Sequence, residues 1–147
     1  MALLDDHNSP ERDRAIGYAL LRLAVGMSMF GHGLICIVKF PEFHTHLVGA
    51  FAKSPLPGSL VSLFAAVLPF VELAVGALLL VGALTRAALI AGAALMTVLI
   101  FGSSLIEHWG PIAQQLGHAA LFAALLAFLS HNRYSVDAWK KTRHHEL

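Results

Sequence analysis

Gly58–Leu84, GSLVSLFAAVLPFVELAVGALLLVGAL, decides the fold of this chain. Glu72 is its one ionisable side chain, and Pro69 stands three residues before it. About 20 apolar residues rising ~1.5 Å each cross the ~30 Å hydrocarbon core of a bilayer, so this stretch is long enough to span it. Its apolar character is continuous rather than alternating, which predicts a helix and excludes a strand of a closed barrel. Pro69 removes a backbone donor and is expected to kink that helix near the acid.

Working outward, three further stretches have the same character: Ile16–Val38, Ala87–Ile106 and Ile112–Ser130. Hydrophobic residues make up 57% of the 147, charged residues 13%, and mean hydropathy is +0.70, which rules out an ordinary soluble globule. The expected fold is all-α: one integral membrane four-helix bundle over residues 16–130, with tails at 1–15 and 131–147. Small residues at three- and four-residue spacing in the first and third spans (Gly17, Gly26, Gly33; Ala88, Gly92) suit close helix packing in lipid.

Basic residues outside the spans orient the bundle. Arg12, Arg14, Arg86, Arg133, Lys140, Lys141 and Arg143 fall on one side, and only Lys39 and Lys53 on the other. The positive-inside bias then makes both termini cytoplasmic, with a long outer loop, Lys39–Pro57, between the first two spans. That loop mixes Phe40, Phe43 and Phe51 with His44, His46 and Lys53, a composition suited to the membrane interface. A tight turn is expected around Thr85 and Arg86, and a short helix at the cytoplasmic surface after Asn132. The polar, mixed-charge start does not read as a cleaved signal. The basic tail suits contact with anionic lipid, and no nucleic-acid partner is expected.

Four side chains intrude into the apolar runs: Arg22 and His32 in the first, Glu72 in the second and His118 in the fourth. A charge at mid-bilayer costs about 2.5–3.5 kcal/mol even on insertion scales, so such residues pair inside the bundle or serve function. Arg22 lies ~9 Å in from the cytoplasmic end and Glu72 ~15–18 Å, within reach of an ion pair. His32 and His118 both lie ~9 Å below the outer face, with Gln114 and Gln115 close by. Imidazoles at one level can ligate haem, hydrogen-bond a quinone carbonyl or satisfy backbone carbonyls. Cys36 is the only cysteine, so it reads as a small apolar filler, and neither an intrachain disulfide nor a dithiol couple can form. No metal set is assigned, since the outer histidines His44, His46 and His108 lack further ligands.

Three segments carry a family resemblance: Gly31-His32-Gly33, Glu72-Leu73-Ala74-Val75-Gly76 through Leu84-Thr85-Arg86, and Asn132-Arg133-Tyr134-Ser135-Val136-Asp137. Through them the chain resembles the DoxX family of small four-helix bacterial and archaeal membrane proteins. It departs where that family often has a lysine, here Cys36. The resemblance implies a subunit similar to that of a thiosulfate:quinone oxidoreductase, in the cytoplasmic membrane of a bacterium or archaeon, with a redox partner protein. The expected function is therefore a redox component linked to the quinone pool. His32, Glu72, Arg22 and His118 would be its catalytic groups, and His32, His118, Gln115 and Glu72 would contact quinone or, as a lesser alternative, haem b. Two other readings remain open: a non-catalytic anchor or assembly partner, including a homo-oligomer, and a small oligomeric transporter or channel.

Overall fold

The computed structural model describes residues 10–144; of the expected tails at 1–15 and 131–147, residues 1–9 and 145–147 lie outside the described residues. Its elements are α1 (Pro10–Val38), α2 (Phe40–Ala50), α3 (Gly58–Val81), α4 (Thr85–Leu105), α5 (Ile112–Ala127), a 3-10 turn (Leu129–His131) and α6 (Val136–His144). Among the described residues there is no strand. Helices α1, α3 and α4 are long and apolar enough to cross a membrane, and α5 is a shorter apolar helix. Together they make a multi-pass membrane protein. At its 16 residues α5 rises only ~24 Å, and the chain continues through the 3-10 turn where the fourth span was expected to run on to Ser130.

Direct backbone contact between α1 and α3 sets the register of the bundle. A Cβ on Gly33 would stand 2.6 Å from the Leu73 nitrogen and 2.7 Å from the Pro69 oxygen. One on Gly76 would collide with the Phe30 backbone. Only glycine permits this approach, and the close packing substitutes for the hydrophobic drive that lipid withholds. The two helices run antiparallel, and this crossing brings residue 32 level with residue 72. Helix α3 continues unbroken through the buried Pro69. Helix α5 closes the bundle against α1 and α4, where fully buried Phe122 packs on Gly92.

The connection between α1 and α3, expected as a long loop, is occupied by α2. Pro41 sits in the first turn of α2, where its missing N–H is no loss. Phe43 and Leu47 pack against the core, and His44 Nε2 lies 3.1 Å from Ser62 Oγ and 3.2 Å from the Ser62 carbonyl, fastening α2 to α3. That fastening accounts for His44, which is not gathered with other ligands.

The α3–α4 turn is residues 82–84, one step earlier than expected. Gly82 takes φ 67°, with its N–H on Leu79 O and the Ala83 N–H on Leu78 O, which is a Schellman ending. Leu84 also lies in the left-handed region, at φ 47°, where a side chain is strained. Asp137 holds it there. Its carboxylate accepts the Leu84 N–H at 2.9 Å and the Thr85 N–H at 2.8 Å, capping α4 from a distant part of the chain. Burial alone would raise the Asp137 carboxyl. Hydrogen bonds from Thr85 and Leu84 and the nearby Lys140 outweigh it and hold the group below its ordinary value.

Three substitutions test this architecture. Gly76→Ala forces the α1–α3 crossing apart and lowers stability by about 1–3 kcal/mol, read as thermal unfolding in detergent by circular dichroism. Gly117→Ala, whose new Cβ meets nothing within 4 Å, leaves the melting temperature within error. Asp137→Ala costs roughly 0.5–2 kcal/mol, the usual loss of a helix cap. Because the folded carboxyl is depressed, that contribution is complete above the unfolded value of about 3.9. It is lost as pH falls from there through the lower folded value, so the wild-type advantage over Asp137→Ala stays level from neutrality down to about 3.9 and shrinks below it.

Candidate functional site

Glu72 is buried, 3% exposed, on the face of α3 turned toward α1. The glycine crossing places it against His32, whose Nδ1 lies 2.7 Å from Glu72 Oε2. With the carboxylate ionised, the imidazole donates its Nδ1–H and keeps Nε2 for another partner. The His32 side chain is 61% exposed, and it lines a cavity of about 160 Å³ between α1, α3, α4 and α5, at the end opposite the 82–84 turn.

His118 and Gln115, from the first half of α5, line the same cavity with Glu72 and His32. His118 Nδ1 lies 3.0 Å from the Gln114 carbonyl, one turn back on the helix, and so carries the proton. Its Nε2 then accepts the Ser28 hydroxyl at 3.0 Å. Both ring nitrogens are thus engaged. Gln115 donates its amide to Ser103 Oγ at 3.2 Å, while its buried Oε1 has no hydrogen-bond partner among the described residues. An unpaired buried acceptor on a cavity wall suits a donor group on a guest.

Arg22 does not join this site. The expected Arg22–Glu72 ion pair is absent, because the guanidinium extends toward the opposite end of the bundle. There Nη1 donates to the Leu79 and Leu80 carbonyls and Nη2 donates to the Tyr134 carbonyl at 2.8 Å. Leu79 and Leu80 belong to the last turn of α3, whose carbonyls lack helical donors and carry the negative end of the helix dipole. Arg22 is therefore a C-terminal cap supplied by another helix, hydrogen-bonded to carbonyls and not to Glu72.

A family model described as methylamine utilisation protein MauE matches residues 14–113, more than half of the chain. The chain belongs to the MauE family. The match runs from α1 to the start of α5, taking in Arg22, His32 and Glu72 and stopping short of Gln115 and His118. No curated protein and no solved structure matches the chain significantly.

Membership of the MauE family replaces the DoxX assignment, for which no family model matches. The residues that carried the resemblance have architectural tasks here. Gly33 and Gly76 make the close crossing, Gly82 ends α3, and Thr85 with Asp137 starts α4. A bundle with this crossing and this turn calls for such residues whatever its family. Three residues of this MauE-family chain escaped the sequence reading in their present roles. Cys36 Sγ lies 3.8 Å from His32 Nε2, and its i, i+4 spacing from His32 was the available signal. Ser28 bridges to His118 and carries no sequence mark of that role. Asp137 was legible only as a residue in a motif.

Replacing Arg22 separates the two polar clusters. Arg22→Met removes the guanidinium from the Leu79, Leu80 and Tyr134 carbonyls, and is expected to cost about 1–3 kcal/mol and to speed protease cleavage within residues 132–144. Glu72→Gln leaves that cleavage rate unchanged, because its carboxylate does not hold Arg22.

Proposed function

We propose that this MauE-family protein is a membrane component of a methylamine-utilisation redox system, with the His32–Glu72 cavity receiving the headgroup of a quinone. The observation that carries the reading is a buried carboxylate hydrogen-bonded to an imidazole on the wall of a polar cavity, between helices that are otherwise apolar. Intramembrane ionisable groups that line a cavity mark sites of proton or ligand handling. Quinone reduction takes up two electrons and two protons. His32, protonated from solvent and held through its Nδ1–H by ionised Glu72, donates Nε2–H to one quinone oxygen; the second proton also enters from solvent through the cavity, and Gln115 Oε1 accepts a hydrogen bond from the quinol hydroxyl so formed. The apolar part of the wall, including Met96 and Leu99, suits the ring. With no dithiol in the chain, the electrons come from a partner redox protein. In this reading the Lys- and Arg-rich end, with both termini, faces the cytoplasm of a bacterial or archaeal cell and the cavity lies in the outer half of the membrane.

A second reading, a non-catalytic scaffold that assembles the system's other components, draws on the opposite end. There Arg22, Asn132 and Asp137 are all used in holding the fold.

Extraction and mass spectrometry of protein purified in mild detergent tests the first reading. Wild type carries quinone, and Glu72→Gln and His32→Ala retain about tenfold less or lower, the equivalent of one charge-assisted hydrogen bond. If wild type carries none and does not take up an added short-chain quinone, the scaffold reading replaces it.

A further inference from the structure

We infer that His32, Cys36 and Glu72 form a binding site for a divalent metal ion of the zinc class. Their nitrogen, sulfur and oxygen donors all lie within 4.8 Å of one another. Among the described residues no other group of three or more His, Cys, Asp or Glu side chains gathers its donors so closely. His32 and Cys36 stand one turn apart on α1, and the glycine crossing brings Glu72 of α3 against them. Donors held ~2.0–2.3 Å from a tetrahedral ion stand roughly 3.3–3.8 Å from one another. Cys36 Sγ is 3.8 Å from His32 Nε2 and 3.9 Å from Nδ1, already near that separation. His32 Nδ1 and Glu72 Oε2, at 2.7 Å, share a proton instead. A bound ion takes the place of that proton and drives these two donors slightly apart.

Charge selects the ion. Cys36 and Glu72 are buried, and as thiolate and carboxylate they bring two negative charges into a low-dielectric crossing between helices. A divalent ion cancels both while the imidazole stays neutral, and the thiol proton is released on binding. A cuprous ion would leave one charge uncompensated, although the sulfurs of Met29 and Met96 line the adjoining cavity. Three mixed N, S and O ligands with the fourth position turned toward a cavity match the pattern of reactive rather than closed structural zinc sites. His32 faces that cavity and gives the ion its way in.

The site shares His32 and Glu72 with the quinone reading, and Cys36, which only the metal uses, lets the test keep the two apart. Full-length protein in mild detergent is stripped with chelator and titrated with Co²⁺, then with Zn²⁺. One Co²⁺ binds per chain with a thiolate-to-metal charge-transfer absorption, and stoichiometric Zn²⁺ abolishes it. Cys36→Ala loses the absorption, while its circular dichroism and melting temperature match wild type. Glu72→Gln binds at least about tenfold more weakly. Quinone content in Cys36→Ala is unchanged, so the metal site and the quinone site register separately. Absence of the absorption in wild type, or its persistence in Cys36→Ala, overturns the inference.

Discussion

The contact between the backbones of α1 and α3 governs everything else in this protein. In lipid, apolar side chains gain little by meeting one another, so helices associate through close van der Waals approach and shared hydrogen bonds. Gly33 and Gly76 remove the side chains that would hold the two helices apart. The register they impose has consequences at both ends. It sets His32 against Glu72 at one level, and it brings Arg22 under the last turn of α3.

The polar groups of the bundle divide between those two places, and their different fates define the molecule. Near the 82–84 turn each charge completes a helix end. Arg22 satisfies carbonyls of α3, Asp137 satisfies amides of α4, and Asn132 donates to Thr85 Oγ1. These bonds join residues far apart in sequence and hold the chain after α5 to the bundle. At the other end capacity is left over: His32 Nε2 faces a cavity, and Gln115 Oε1 lacks a partner among the described residues. Tyr18 Oη, Arg22 Nε and Asn132 Oδ1 also lack partners among the described residues, so what distinguishes this end is that His32, Glu72 and Gln115 open onto one shared cavity. This leftover capacity is what makes the cavity a candidate site.

Glu72 is the group on which the chemistry turns. An isolated carboxylate between apolar helices is too costly to persist, so it must share a proton or meet a cation. His32 supplies the first solution, and the thiol of Cys36 within reach of both makes the second accessible. A proton and a metal ion are alternative occupants of one electrostatic hole. The family match includes all three residues, whereas the α5 wall of the cavity lies beyond the matched segment.

The sequence by itself determined that the chain is helical and crosses a membrane more than once, because continuous apolar runs of that length have no other low-energy solution in lipid. It also singled out Glu72, His32 and His118, since ionisable groups stand out against such runs. Depth along each helix could be counted at 1.5 Å per residue, which rightly put His32 and His118 near one level. Depth does not tell which way a long side chain turns. Arg22 reaches back to carbonyls at the near end instead of inward to Glu72, because three backbone carbonyls there compensate a guanidinium. Nor did composition separate an interfacial loop from α2, or a filler cysteine from one beside an imidazole. Those outcomes depend on the rotation of each helix about its axis, and only the packing of one backbone against another decides that angle.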